Sequence, residues 1–171
     1  MAGTPWKSDE KVTVIFDNEN QNDRTYRYSL KCIWDDQKDI VTFIMLNPSV
    51  ADADLCDPTL KRCMNFSKSW GYGGMNILNL YALISTNPKG LKLHNDPIGP
   101  ENDKHLFEAL KNTDKIVLAC GQSYKGVKNR ITNIMSLIND QEIYCIDTTV
   151  KNIPKHPLYL KGNSVLKPYT I

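Results

Sequence analysis

A nearly unbroken apolar run at residues 40–46 (IVTFIML) constrains the fold of this chain more than any other feature. A strand of this kind is typical of a sheet that is covered on both faces. Three further apolar segments follow at residues 75–83, 115–120 and 142–147. Because amphipathic helical segments separate them, we predict an α/β fold with three layers, α/β/α, around a central parallel four-stranded sheet.

The segments between the predicted strands have the spacing and the end signals of helices. Asp57 is a good N-cap and Pro58 suits the first helical position. A second helix is predicted from Pro100 to about Asn112. The third has apolar residues at intervals of three and four, namely Val127, Ile131, Ile134 and Ile138.

An antiparallel ribbon is predicted before the core, formed by residues 12–16 and 24–34. In the second of these segments apolar side chains alternate with Arg27, Ser29 and Lys31, which indicates a half-buried strand with those three residues on the polar face. We expect one domain over residues 1–171, with a β extension (1–39), a core (40–147) and an irregular tail (148–171). The connection at 84–99 is long enough to be functional or disordered.

Composition excludes several classes of protein. The chain has 21 Lys and Arg against 19 Asp and Glu, a net charge of +2, which argues against a protein that coats nucleic acid but not against one that binds a single nucleotide. The five cysteines include no C-x-x-C pair and there are only three histidines, so we predict neither a metal site nor a cofactor. No apolar run approaches the roughly 20 residues of a membrane span and no signal peptide is recognised, so we expect a cytoplasmic protein without a membrane partner.

Ligands of open α/β sheets bind beyond the carboxyl ends of the strands, and polar residues follow each predicted strand. Asn47 and His156 are the leading candidates for a ligand site, because an amide can donate and accept hydrogen bonds and a histidine can donate to a developing oxyanion. A strand-ending turn and a surface histidine remain alternatives for these two. The candidates at these strand ends are Asn47, Pro48, Ser49, Asp52, Asn79, Tyr81, Gly121, Gln122, His156 and Tyr159.

Further candidates lie around the predicted helices and in the tail. Asp57, Thr59 and Arg62 open the first helix, where an anion is favoured, although capping alone also explains Asp57. Residues 151–171 contain four lysines, among them Lys161, and no acid, which would suit a phosphate. Tyr72 and Asn102 complete the set, with a core aromatic and a helix cap as their alternative interpretations.

The chain resembles the domain-of-unknown-function family 1643, which occurs in bacteria, phages and mobile elements. The resemblance is carried by MLNPS-x-A-D, DPT-x-x-R-C, WGYGG, NL-x-A, DP-x-GP-x-N-D and HPLYLKG, which occur in that order between residue 45 and about residue 162. It implies no activity, because that family has none assigned.

A more distant resemblance is to the uracil-DNA glycosylase superfamily, a three-layer α/β fold. There an Asp or Asn beside a Pro follows the first core strand and positions the attacking water, and a His-Pro segment after the last strand supports the leaving base. Asn47-Pro48 and His156-Pro157 are similar in place and order. The resemblance implies a stacking aromatic residue, for which Tyr72 and Tyr81 are the candidates.

The leading interpretation is therefore an enzyme that recognises a nucleotide or a nucleobase and hydrolyses an N-glycosidic bond. Asn47 would orient water, Asp52 or Asp57 would act as acid–base or oxocarbenium stabiliser, and His156 would support the base. Arg62 and Lys161 would hold phosphate. The alternative is a binder without catalytic activity that sequesters a nucleotide, and a DNA-binding module is a third interpretation that the near-neutral charge disfavours.

Overall fold

The computed structural model describes residues 3–113 and 115–171, where the chain forms a seven-stranded mixed sheet and four α-helices. Residues 1 and 2 of the predicted extension and residue 114 of the predicted core lie outside the described residues. In chain order the elements are β1 (Thr4–Pro5), β2 (Lys11–Phe16), β3 (Arg27–Ile33), β4 (Ile40–Met45), β5 (Leu55–Cys56), α1 (Pro58–Ser69), β6 (Gly74–Asn79), α2 (Lys89–Leu93), α3 (Asn102–Lys111), β7 (Lys115–Leu118), α4 (Val127–Met135), β8 (Glu142–Cys145) and β9 (Lys167–Pro168).

The strand order of the large sheet is β2-β3-β6-β4-β7-β8-β9. Strand β4 runs parallel to β6 and β7, and β8 runs parallel to β7, whereas β2, β3 and β9 add antiparallel pairs on the two sides. The α/β class is thus confirmed, in a larger and mixed sheet. Because β3 is antiparallel to β6, its amino end lies at the same edge as the carboxyl ends of the parallel strands.

Two hydrophobic clusters flank the sheet. Adjacent residues of β4 point to opposite faces, so that Phe43 belongs to one cluster and Ile44 to the other. The Phe43 cluster contains the buried apolar residues of α1, and the Ile44 cluster contains those of α3 and α4. Cover on both faces explains why β4 is apolar along almost its whole length.

The predicted helix signals at α1 and α4 are confirmed. The Asp57 carboxylate accepts a hydrogen bond from the backbone N–H of Leu60 at 2.8 Å, and Pro58 opens the helix. A cap of this kind contributes about 1 kcal/mol to stability. Helix α4 buries Val127, Ile131 and Ile134, whereas the predicted Ile138 falls after its end.

Three segments differ from the sequence-based expectation. Helix α3 begins at Asn102 rather than at Pro100, and the connection at 84–99 contains the short helix α2. The tail, predicted as irregular, contains a 3₁₀-helix (Pro157–Tyr159) and strand β9. Tyr169 holds this tail, because its ring is buried in the Ile44 cluster and its hydroxyl donates to the Asn152 carbonyl at 2.9 Å.

A β-bulge overturns the predicted alternation in β3. Successive residues of β2 pair with Arg27 and Ser29, which leaves Tyr28 as an extra residue. Tyr28 consequently packs in the Ile44 cluster and Leu30 in the Phe43 cluster, although both were expected on one side. The bulge therefore reverses the facing of the side chains before it, and Arg27, expected on the polar face, is only 2% exposed.

Candidate functional site

A cavity of about 720 Å³ lies at the edge of the sheet where the parallel strands end. This is the place where open α/β sheets bind ligands, and the volume is typical of a site for a small molecule. Nine predicted site residues line it: Asn47, Ser49, Asp57, Thr59, Asn79, Gly121, Gln122, His156 and Tyr159.

Arg27 lines this cavity from the amino end of β3 and is 2% exposed. Its Nη1 donates to the Ala51 carbonyl at 2.9 Å, and its buried Nε has no hydrogen-bond partner among the described residues. Burial lowers the pKa of Arg27 to about 10, and the negative charges of Asp57 and Asp52 oppose that shift. The side chain therefore remains a cation at neutral pH.

Asn79 is the last residue of β6 and lines the same cavity with an exposed fraction of 1%. Neither its Oδ1 nor its Nδ2 has a hydrogen-bond partner among residues 3–113 and 115–171. Leaving buried polar atoms unpaired costs free energy, typically about 1–3 kcal/mol for each group. A donor and an acceptor thus both lie unpaired in a residue of the cavity lining.

Asn47 follows β4 and is held by the chain around it. Its Nδ2 donates to the carbonyl oxygens of Pro48 at 3.0 Å, Ser85 at 2.9 Å and Leu83 at 3.4 Å. These acceptors fix which end of the amide carries the nitrogen. The amide thus ties the end of β4 to the connection after β6, and Oδ1 remains as its acceptor.

Asp57 joins the site through the first turn of α1. One carboxylate oxygen is engaged in the helix cap, and the residue is only 7% exposed although it lines the cavity. Its negative charge acts on two other cavity residues, because it raises the pKa of both Arg27 and His156 against the effect of burial.

His156 follows β8 and opens the 3₁₀-helix of the tail. Its Nδ1 accepts a hydrogen bond from the Leu158 backbone N–H at 3.2 Å, so the proton of the neutral ring is on Nε2. Burial lowers the pKa of His156, and Asp57 opposes this shift. The residue is therefore poised as a neutral hydrogen-bond donor.

Gly121 lies against this histidine after β7. Its φ is +70°, a conformation that favours glycine, and a Cβ built on it would lie 3.2 Å from the Cβ of His156. The glycine therefore allows the tail to approach the end of β7 closely, which brings His156 to the cavity.

The mouth of the cavity carries neutral and paired groups. Tyr159 is 87% exposed there, with its ring centroid 6.4 Å from that of His156. Lys155 also lines the cavity, but its ammonium group lies 2.8 Å from a carboxylate oxygen of Asp147. Hydrogen bonds from Lys155, from backbone Thr148 and from Lys167 lower the pKa of Asp147 to about 2.

Three predicted residues support the cavity without lining it. The Pro48 carbonyl accepts from Asn47 and from backbone Ser85. Asp52 accepts two backbone N–H groups of its own turn, both at 2.8 Å. Arg62 approaches the Pro157 carbonyl, 3.5 Å from its Nε. Through these hydrogen bonds the three residues hold the loops around the cavity.

Four others are placed elsewhere. Tyr72 precedes β6 and so lies at the opposite edge of the sheet, and Tyr81 is buried in the Ile44 cluster, edge-on to Tyr124. Asn102 is fully buried and donates to the carbonyls of Asn79 and Leu80. Lys161 is exposed beyond the 3₁₀-helix. None of these four side chains belongs to the cavity lining.

Sequence reasoning missed Arg27 as a cavity residue and did not single out Lys155, which is one of the four tail lysines expected to suit a phosphate. A single arginine in an alternating strand gives no sign of burial, because the bulge that turns it inward has no distinct sequence pattern. Lys155 directly precedes His156-Pro157, and this position in the sequence could have identified it. Of the tail lysines Lys151, Lys155, Lys161 and Lys167, only Lys155 lines the cavity.

No group of three or more His, Cys, Asp or Glu side chains suited to a metal occurs within residues 3–113 and 115–171. In the same part of the chain, no helix is both long and apolar enough to cross a bilayer.

The fold and the cavity define an α/β protein with a largely apolar cavity, into which several polar and charged residues converge, at the carboxyl ends of its parallel strands. The chain belongs to the family described as Protein of unknown function (DUF1643), whose model matches residues 27–158. The match begins upstream of the expected blocks and ends within the last one. No curated protein and no solved structure matches the chain.

Proposed function

We propose that this protein recognises a nucleotide or a nucleobase and hydrolyses its N-glycosidic bond. The observation that carries the proposal is that Asn47, Asp57, Asn79 and His156 line one cavity although they come from four separate parts of the chain. Convergence of polar groups in a largely apolar cavity is typical of a small-molecule site.

Asn79 supplies the recognition of a base. Its unpartnered Nδ2 and Oδ1 match the adjacent carbonyl and N–H groups on the edge of a nucleobase. Met45, Leu60 and Ile77 line the same cavity and offer apolar contacts to a flat ring. A ligand that pairs with Asn79 recovers the free energy that its unpaired atoms cost the folded chain.

His156 and Asn47 then have distinct tasks. The neutral His156 ring donates through Nε2–H to the carbonyl oxygen on which negative charge develops as the base departs. Asn47 accepts through Oδ1 from the attacking water, and the Asp57 carboxylate stabilises the positive charge at the anomeric carbon. The oxygen of water bonds to that carbon as the glycosidic C–N bond breaks. One proton of the water is transferred to the released base.

The arrangement supports the distant resemblance to the uracil-DNA glycosylase superfamily as part of this proposal. Asn47-Pro48 follows β4 and His156-Pro157 follows β8, and both strands belong to the parallel row β6-β4-β7-β8. In the proposed assignment Asn47 and His156 are the catalytic pair, and Tyr159, rather than Tyr72 or Tyr81, is the aromatic residue at the mouth.

The experiment is to incubate the protein with nucleosides, nucleoside monophosphates and uracil-containing DNA and to measure the free base by chromatography. We expect base release from at least one of them, and loss of that release in His156→Ala and Asn79→Ala. Lys161→Met, which changes a residue outside the cavity, serves as the control and retains activity. Absence of free base from the whole panel would contradict hydrolysis.

A second candidate function is binding without catalysis. It is favoured because Asn47 and Asp57, the two residues assigned to the attacking water and to the positive charge, also serve the fold: the Asn47 nitrogen is bound to three carbonyls and one Asp57 oxygen caps α1. A binder gives a ligand-dependent rise in melting temperature with no turnover, and His156→Ala then changes only the affinity.

A further inference from the structure

Two arginines of this chain are buried, and they have very different surroundings. Arg130 is 5% exposed, donates through Nε to the Leu80 carbonyl and is paired through both terminal nitrogens with the Asp103 carboxylate. It joins α4, α3 and the end of β6 and lies outside the cavity lining. The positive charge of Arg130 is therefore neutralised by a carboxylate of the protein itself.

Arg27 has no such partner. Its Nη1 donates to the Ala51 carbonyl, its buried Nε is unpaired, and no carboxylate of the described residues lies within 4.0 Å of the guanidinium group. A buried cation without a counter-ion costs free energy unless an anion compensates it. Arg27 is such a buried cation without a counter-ion, and it lies in the lining of the cavity.

Other cations near the cavity are less suited to an anion. Lys155 is already paired with Asp147, and Lys161 lies in exposed chain beyond the lining. Arg62 also lies outside the lining, where it approaches the Pro157 carbonyl. Asp57 also lines the cavity, and its negative charge would repel an anion. It acts on Arg27 without forming an ion pair.

We propose that Arg27 forms an anion subsite in the cavity and binds a terminal oxyanion of a small ligand. The planar guanidinium group matches the oxygens of a phosphate or a carboxylate. A side chain with 2% exposure is reached by the end of a ligand but not by an internal phosphodiester, which continues as a chain on both sides.

This subsite also narrows the ligand class. Resting on the proposed function, it favours a nucleoside monophosphate, or a nucleobase that bears a carboxylate, over an unmodified base in a DNA strand. Asn79 and Arg27 would then bind different parts of one molecule, the amide pairing with the base and the guanidinium group with the charged end.

The test is calorimetric and thermal-shift titration with inorganic phosphate, with nucleoside monophosphates, with the matching nucleosides, and with nucleosides of carboxylated bases. We expect the charged member of at least one pair to bind more tightly than its neutral partner. Tighter binding of the monophosphates identifies a phosphate as the anion, and tighter binding of the carboxylated nucleosides identifies a carboxylate. Equal binding of charged and neutral compounds, or no response to any anion, would overturn the proposal.

Variants assign the effect to the residue. Arg27→Met should lose at least about tenfold in affinity for the charged compound, because a charge-assisted pair is removed. Arg27→Lys keeps the charge, loses the fork and should bind with intermediate affinity, and it provides a second test if Arg27→Met does not fold. Lys151→Met and Lys161→Met are the controls, because both lysines are exposed and lie outside the cavity lining, and both variants should bind as wild type. Undiminished affinity in both Arg27 variants, or loss in the controls instead, contradicts the assignment.

The subsite and the proposed hydrolysis fail separately. Anion binding that depends on Arg27, without release of free base from any compound, supports the subsite and removes the hydrolysis. Base release that is equally fast from neutral nucleosides and unaffected by Arg27→Met supports the hydrolysis and removes the subsite.

Discussion

Gly121 lies so close to His156 at the end of β7 that a Cβ at position 121 would lie 3.2 Å from the Cβ of His156. The backbone N–H of Gly121 also donates to the Pro154 carbonyl at 2.9 Å. The position of the histidine thus depends on the absence of a side chain at a residue far away in sequence.

Replacing Gly121 by alanine should weaken both stability and ligand binding. The φ of +70° costs an alanine roughly 1–2 kcal/mol, and the new methyl group presses on His156. Gly71→Ala is the matched control, because φ is +89° there and nothing lies within 4 Å of the added Cβ. Thermal unfolding should give a larger loss for Gly121→Ala, and only this variant should lower ligand-induced stabilisation. Equal effects of the two variants would argue against the contact.

Asn47→Asp should destabilise the fold, although an aspartate is the more common catalytic residue beside a proline in the glycosylase resemblance. The change replaces a donor bound to three carbonyl oxygens by a carboxylate oxygen, which is repelled by them. We expect a loss of about 2–3 kcal/mol in urea unfolding at neutral pH. Asn20→Asp, at an exposed turn where the side chain accepts from Asn22, should change stability by less than about 0.5 kcal/mol. An Asn47→Asp variant as stable as this control would show that the three bonds are unimportant.

These contacts also indicate which parts of the molecule were accessible from the sequence. The buried strand β4 and the capped start of α1 follow from local patterns, and Asn47 and His156 follow from their places after strands. Nine predicted residues line the cavity because the carboxyl ends of parallel strands meet at one edge.

The remaining features depend on tertiary structure. Arg27 faces inward because one extra residue in β3 reverses the alternation, and no local pattern announces that bulge. Strand β9 forms because Tyr169 is buried against distant residues. Tyr81 was expected near the ligand because it follows a strand, but packing against Tyr124 turns it to the other face of the sheet.

The free energy of unfolding should fall as the pH is lowered from 7.5 to 5. Burial lowers the pKa of His156 and of His105, so the unfolded chain, in which histidine has a pKa of about 6.5, takes up protons first. The stabilisation that comes from the two neutral histidines is complete above the unfolded-state pKa and is lost as the pH falls toward the folded-state pKa. Urea unfolding of His156→Asn, whose Oδ1 can replace Nδ1 as acceptor for Leu158, should show a shallower pH dependence, and a His156→Asn/His105→Asn double variant a still shallower one. An unchanged slope in both variants would contradict the burial effect.

Asp57 should have two separable roles, because one of its oxygens caps α1 while the residue also lines the cavity. Asp57→Asn keeps an N-cap of similar strength and should change stability by less than about 0.5 kcal/mol, whereas Asp57→Ala should lose about 1–2 kcal/mol. Base release should fall strongly in both. Asp52→Asn is the matched control, because Asp52 lies outside the cavity and an asparagine can still accept from its turn. Loss of activity in Asp52→Asn but not in Asp57→Asn would exchange the roles of the two residues.

Asn79 and Asn102 are both buried asparagines, and leucine should affect them in opposite directions. Asn79 has two unpartnered amide atoms, so Asn79→Leu should raise the free energy of unfolding by about 1–2 kcal/mol while ligand-induced stabilisation disappears. Asn102 has an unpartnered Oδ1, but its Nδ2 donates to two carbonyls at 3.1 and 3.3 Å, which would lose their donor, so Asn102→Leu should lower the free energy of unfolding by about 1–2 kcal/mol. Urea unfolding with and without nucleoside monophosphates measures both effects. A destabilised Asn79→Leu that still binds would mean that Asn79 serves the fold and not a ligand.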